Sequence, residues 1–258
     1  MTPANIAVDG GSLAYHTVGT GLPIVFVTGL SGRSIYWGSQ VLAFSSAYQT
    51  VTFDHRGIGA SEGLPPYSVE QWAADTLRLM DHLKLKRVHL VGHSTGGAIA
   101  QVLAADRPDR VASLVLGGTW ARPDARFNRL FTFRKRVLHE MDSDAYEDFG
   151  LTLTMPAGVP PATEPPRGVG HTPRDIVAAR IDALLAYDAG QRLRRIRSPT
   201  LVVAAGDDVL VPRHLSEIIA GEISGARLFI FERGGHHFPQ TQADAYNNLL
   251  LEFFRSTA

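Results

Sequence analysis

The sequence predicts an α/β fold: a mostly parallel twisted sheet with helices on both faces and a helical segment inserted past its middle. Three observations carry that expectation. Short apolar runs alternate with amphipathic stretches from end to end, which is how strands joined by crossover helices read. The alternation breaks between residues 119 and 190, where helical periods are joined by a Pro/Gly-rich span. Finally, "GHSTG" (92–96) sets a serine among glycines at the junction of a strand and a helix.

In chain order, strands are expected at "LAYHTV" (13–18), "PIVFVT" (23–28), "QTVTFD" (49–54), "RVHLVG" (87–92), "VASLVLGG" (111–118), "TLVVAA" (200–205) and "ARLFIF" (226–231). Each is a short run rich in β-branched or aromatic residues. Helices fit between them at 68–83, 95–106, 213–221 and 241–255, the second starting directly after Ser94 with no room for a loop. Within 119–190, "DARFNRLFTFRKRVLHEM", "SDAYEDFGLTL" and "DIVAARIDALLAYD" have helical period, and "MPAGVPPATEPPRGVGHTP" joins the last two. The expected organisation is a core of 1–118 and 191–258 with a helical cap at 119–190. No internal repeat is visible.

Composition bounds the function. The 258 residues suffice for one sizeable core. Lys+Arg and Asp+Glu are both 25, and no block of like charges occurs, so no nucleic-acid or anionic-membrane partner is expected. The expected partner is a small molecule. No stretch of about 18 apolar residues occurs, and "MTPANIAVDGG" has no basic segment followed by an apolar run, so a cytoplasmic protein is expected. The chain has no cysteine, which excludes disulfides, thiolate metal sites and cysteine nucleophiles.

The serine in "GHSTG" fits G-x-S-x-G, with "RVHLV" as strand before it and "TGGAIAQVLAAD" as helix after it, the context this motif requires. The flanking Gly92, Gly96 and Gly97 make room for a sharp turn that exposes the Ser94 hydroxyl at a helix N-terminus. The same serine can also be a plain helix cap. A hydroxyl is a poor nucleophile near neutral pH and needs a base, which in turn needs an orienting acid. In "ERGGHHFPQ" (232–240), His236 directly follows the glycine pair and is the expected base, with His237 as the alternative. In "AAGDDVLVP" (204–212), Asp208 lies four residues before Pro212 and is the expected acid, Asp207 being the alternative. The order Ser94, Asp208, His236 matches one of the known serine-triad folds and not the other two.

With these residues in place, the chain resembles α/β-hydrolase-fold enzymes over nearly its whole length. "VFVTGLSGRSIYW" (25–37) is similar to the family's loop after an early strand, with Thr28 where many members have histidine, and "DHRGIGASEG" (54–63) fits D-x-R-G-x-G-x-S. The resemblance implies His236 over His237, an oxyanion hole made by the amides of Leu30 and Thr95, and bracing roles for Asp54 and Arg56. It implies no cofactor and no metal. Within the fold the likeness extends to 3-oxoadipate enol-lactonases and aminoacrylate hydrolases, the latter also in 117–138 and 180–212.

The expected activity is hydrolysis of a small ester, lactone or amide/enamine-type acid through an acyl-enzyme. Carbon–carbon hydrolysis of vinylogous diketones and a slow, receptor-like hydrolase are the alternatives, and the chain is expected as a monomer or homodimer. Arg122, Arg126, Arg129 and Arg136 share a helical stripe beside Phe127, Leu130, Phe131 and Leu138. One of these arginines could bind a substrate carboxylate, or the stripe could be a solvated face. Trp37, Trp120, Arg122, Arg126 and Phe127 are the expected pocket residues.

Overall fold

The computed structural model describes residues 2–159 and 172–257. His171 and most of the Pro/Gly-rich span lie outside them. Nine strands are present among the described residues: β1 (Ala4–Val8), β2 (Gly11–Val18), β3 (Pro23–Val27), β4 (Gln49–Phe53), β5 (Glu62–Gly63), β6 (Val88–His93), β7 (Val111–Gly117), β8 (Thr200–Ala205) and β9 (Arg227–Phe231). The helices are α1 (Gly38–Phe44), α2 (Val69–His82), α3 (Thr95–Asp106), α4 (Ala125–Val137), α5 (Ser143–Thr154), α6 (Arg174–Ala186), α7 (Arg213–Glu222), α8 (Phe238–Thr241) and α9 (Ala243–Ser256). The expected strands and the four core helices are present with ends shifted by a few residues. Four short elements, β1, β5, α1 and α8, were not legible, being too brief or too polar to show a period.

The sheet order is β1-β2-β4-β3-β6-β7-β8-β9, with β5 on β2. From β4 to β9 every pairing is parallel, and the N-terminal hairpin adds antiparallel strands at one edge. Alternation along the central strands feeds two cores. Val25 and Val27 face the core shared with α2, α3 and α7, while Ile24 and Phe26 face the one shared with α1 and α9. Burial on both faces explains why these strands read as continuous apolar runs.

Order reverses at the β3/β6 pair: the chain leaves β3 toward β4 on one side and returns as β6 on the other. Loops leaving the carboxyl ends of two such strands diverge and open a crevice, where ligands bind in open α/β sheets. The loop 28–33 and the turn at Ser94 flank this crevice. Helices α4, α5 and α6 lie between β7 and β8 in the chain, and Phe127, Phe131, Ile181 and Leu184 join the core on one sheet face.

Candidate active site

Ser94 links the end of β6 to the start of α3 with φ +56° and ψ −122°. Positive φ in a non-glycine residue is strained and persists only where the surroundings enforce it. Here Ser94 N–H donates to Gly117 O at 2.8 Å, and its carbonyl accepts from Gly97 N–H at 2.9 Å. The glycines supply the space. A Cβ on Gly92 would strike the Gly96 carbonyl, one on Gly96 would strike the Val27 carbonyl, and one on Gly97 would sit 2.6 Å from Thr119.

The loop after β3 closes on this turn. Gly32 N–H donates to Gly29 O, the Thr28 hydroxyl donates to Arg33 O at 3.2 Å, and a Cβ on Gly29 would lie 3.0 Å from that of Ser94. Thr28 therefore ties its own loop through a side-chain bond. Asp54 accepts from Ser34 N–H and Ala60 N–H, while Arg56 pairs with Asp75 through two bonds of 2.9 and 2.6 Å and reaches Asp9 O. Both residues brace loops.

After β9, His236 Nδ1 lies 2.7 Å from Asp208 Oδ2, and Asp208 Oδ1 accepts from Leu210 and Val211 N–H at 2.9 and 2.8 Å. The carboxylate and imidazole are nearly inaccessible, at 1 and 4 % exposure. Asp207 turns elsewhere and accepts from Gly235 N–H at 2.8 Å. The histidine loop is also held by α5: Thr154 O accepts from the backbone N–H groups of His236 and His237. A Cβ on Gly235, at φ +60°, would come within 2.6 Å of that carbonyl, so only glycine fits there.

The neighbouring imidazoles are buried. His93 stacks on Tyr36 and its ring centroid is 4.8 Å from that of His236. Burial, with the nearby His236 and His237, pushes the His93 pKa well below its ordinary value. Burial brings His237 down to about 3. Two of the three histidines at the site are thus held neutral near pH 7.

Ser94 and His236 open into one cavity of about 320 Å³, whose walls include Leu30, Tyr36, Ile58, Phe131, Leu138, Leu151 and Val177. The walls are mainly apolar, yet Arg33, Arg134, Arg174 and Arg180 line them against one acid, Glu147, among the described residues. Arg180 on α6 donates from Nε to Leu30 O at 3.0 Å, contacts His55 Nδ1 at 3.0 Å through Nη2, and lies 4.4 Å from the Trp72 ring centre. It is fully buried, and that burial lowers its pKa to about 9.

The five expected pocket residues lie elsewhere, and none is among the described residues lining the cavity. Trp37 is fully buried against Phe26, and Trp120 against Phe127, which continues into Phe131. Their large apolar area is taken up by the two cores. Arg122 pairs with Glu222, and Arg126 donates to Val209 O at 2.6 Å, both at the surface. The arginine stripe thus faces away from the cavity, and the arginines that line it are Arg33, Arg134, Arg174 and Arg180, of which Arg134 and Arg180 are buried. Spacing carried a signal for both: Arg134 lies three and seven residues past Phe131 and Phe127, and Arg180 lies between Val177 and Leu184 in an apolar stripe. A cation in a buried stripe is the exception that marks a site.

The protein resembles known ones over nearly its full length. It is 35% identical over 255 residues to a Caulobacter vibrioides protein named "Putative carbamate hydrolase RutD", covering 95% of this chain and 93% of the relative. A like-named protein of Azorhizobium caulinodans is 35% identical over 249 residues, covering 93% and 94%. Among solved structures, the enol-lactonase from Burkholderia xenovorans LB400 superposes with a TM-score of 0.89 at 27% identity, covering 98% of this chain and 100% of that one. Residues 24–249 match the model of the Alpha/beta hydrolase family. The chain belongs to the alpha/beta hydrolase family, and it is a hydrolase of that type.

Proposed function

We propose that this protein is a serine hydrolase that cleaves a small ester, lactone or carbamate- or amide-type acid through an acyl-enzyme. The observation that carries the reading is the 2.7 Å contact between the imidazole of His236 and the buried carboxylate of Asp208, in a cavity onto which Ser94 opens from a strained turn. In this reading Ser94 Oγ attacks the carbonyl carbon as His236 Nε2 takes the hydroxyl proton. Asp208 holds the tautomer with the Nδ1 proton and stabilises the imidazolium. The carbonyl oxygen becomes an oxyanion held by the amides of Leu30 and Thr95, of which Thr95 is the first residue of α3, where N–H groups have no partner in their own helix. His236 returns the proton to the leaving group. A water then attacks the acyl-enzyme by the same route and releases the acid and Ser94.

Residues 119–190 act as the cap of this site over a core of 1–118 and 191–258. The names of the similar proteins, a carbamate hydrolase and an enol-lactonase, support a carbonyl carbon bonded to nitrogen or oxygen as the reacting centre.

The test is labelling with an aryl fluorophosphonate beside turnover of phenyl acetate, a simple lactone and phenyl carbamate. Wild type should be labelled with one equivalent on Ser94, and Ser94→Ala should lose label and up to about 10⁶ of turnover. Near-wild-type turnover of Ser94→Ala on the substrate wild type prefers would overturn the reading.

A further inference from the structure

The cavity holds a cation with no ion-pair partner among the described residues. Arg134 is 8% exposed, its Nε is fully buried with no hydrogen-bond partner, and no ion pair among the described residues takes up its guanidinium. It is held by ring faces, with the guanidinium carbon 5.5 Å from the Phe131 centre and 5.7 Å from that of Tyr146. The Tyr146 hydroxyl is also buried without a partner among the described residues, and both residues line the same cavity as Ser94. The other lining arginines have polar partners: Arg174 donates to Met141 O at 2.7 Å, Arg180 uses Nε on Leu30 O and Nη2 on His55 while its Nη1 is buried without a partner among the described residues, and Arg33 has an interaction of its own, as does Glu147.

We propose that Arg134, with the Tyr146 hydroxyl beside it, is a carboxylate-binding subsite of the Ser94 cavity, so that the substrate carries an anionic carboxylate besides the carbonyl that is cleaved. A buried charge without a partner is costly, and ring faces compensate it in part. The deficit is made good when a ligand brings the opposite charge. A guanidinium matches a planar carboxylate through paired hydrogen bonds, and the phenol offers one more donor. One guanidinium beside one phenol matches the single charge and planar oxygens of a carboxylate.

This inference rests on the serine-hydrolase reading for the position of the reacting carbonyl, so its test reads binding rather than turnover. In Ser94→Ala protein, calorimetry would compare the monophenyl esters of succinic, glutaric and adipic acid with phenyl hexanoate. At least one anionic ester should bind about tenfold or more tightly than the neutral one. Adding Arg134→Gln should bring that ratio to about one with little change for phenyl hexanoate, Arg134→Lys should keep part of it, and Tyr146→Phe should lower it a few-fold. If Arg134→Gln does not fold, Arg134→Met, which keeps the apolar stem on Phe131 and Tyr146, serves the same comparison.

The proposal is overturned if no anionic ester is preferred, if the preference survives loss of the guanidinium, or if anionic and neutral esters weaken together, which is the mark of a packing role. Loss of the anionic preference in the Arg134 variants supports the subsite even where Ser94→Ala has kept wild-type turnover, an outcome that would sink the serine reading alone.

Discussion

Two adjacent acids, Asp207 and Asp208, differ in one respect that matters at the residue scale: which loop group each side chain meets. Asp208 accepts three hydrogen bonds, two from backbone amides and one from His236 Nδ1, whereas Asp207 ties down the backbone of Gly235. If His236 is the base, Asp208→Asn should cut kcat by about 10⁴ by presenting the wrong tautomer. Asp207→Asn keeps an acceptor for Gly235 and should cost under about tenfold. Equal effects in steady-state kinetics would show that loop shape, not the imidazole partner, is what the acids supply. The sequence ranked Asp208 first from its spacing to Pro212. The reverse held for the pocket: Trp37 and Trp120 were drawn to it by position, yet their indoles are fully buried in the cores, which no local pattern reveals.

Element placement couples α5 and α6 to the loops beside Ser94. Arg180, on α6, reaches across to Leu30 O, and Thr154 at the end of α5 holds the backbone of His236. The helices between β7 and β8 thereby touch both loops that flank Ser94. Replacing a fully buried cation by an apolar side chain of similar volume removes its desolvation penalty while forfeiting its hydrogen bonds, and the two effects oppose each other. Arg180→Met should therefore shift Tm by only a few degrees. If the Leu30 amide is an oxyanion donor, kcat should fall about tenfold or more with KM nearly constant, because the loop that carries that amide loses the bond holding the next carbonyl. A large loss of Tm with wild-type kcat would show that Arg180 is a packing residue. The elements themselves were legible wherever a run was long and periodic. The short β1, β5, α1 and α8 depend on pairing or packing partners distant in the chain, so local propensity could not mark them.

At the scale of the whole molecule, four imidazoles are packed away neutral. Burial, first among the causes, holds His93 and His55 well below their ordinary pKa, His89 at about 4 and His237 at about 3. In the unfolded chain each titrates at about 6.5. Between those values the unfolded chain binds more protons than the folded one, so this contribution to stability is complete above about pH 6.5 and is lost as pH falls. Each proton taken up on unfolding adds a slope of about 1.4 kcal/mol per pH unit. Urea midpoints should fall steeply from about pH 6.5 to about pH 4, and His89→Gln should flatten that slope by about one proton. A flat profile would mean that these rings are protonated in the folded state. The sequence by itself determined the α/β class, the order of the seven longer strands along the chain, the turn at Ser94 and Asp208 as the favoured acid, with the choice of His236 over His237 coming from the family resemblance. It could do so because these are written in local periodicity, glycine spacing and the ends of strands. Which arginine enters the cavity, which tryptophans are core and how α5 and α6 meet the loops beside Ser94 were decided by tertiary structure alone. Those choices follow from what distant elements bury together, and the same side chain is a surface charge in one packing and a binding group in another.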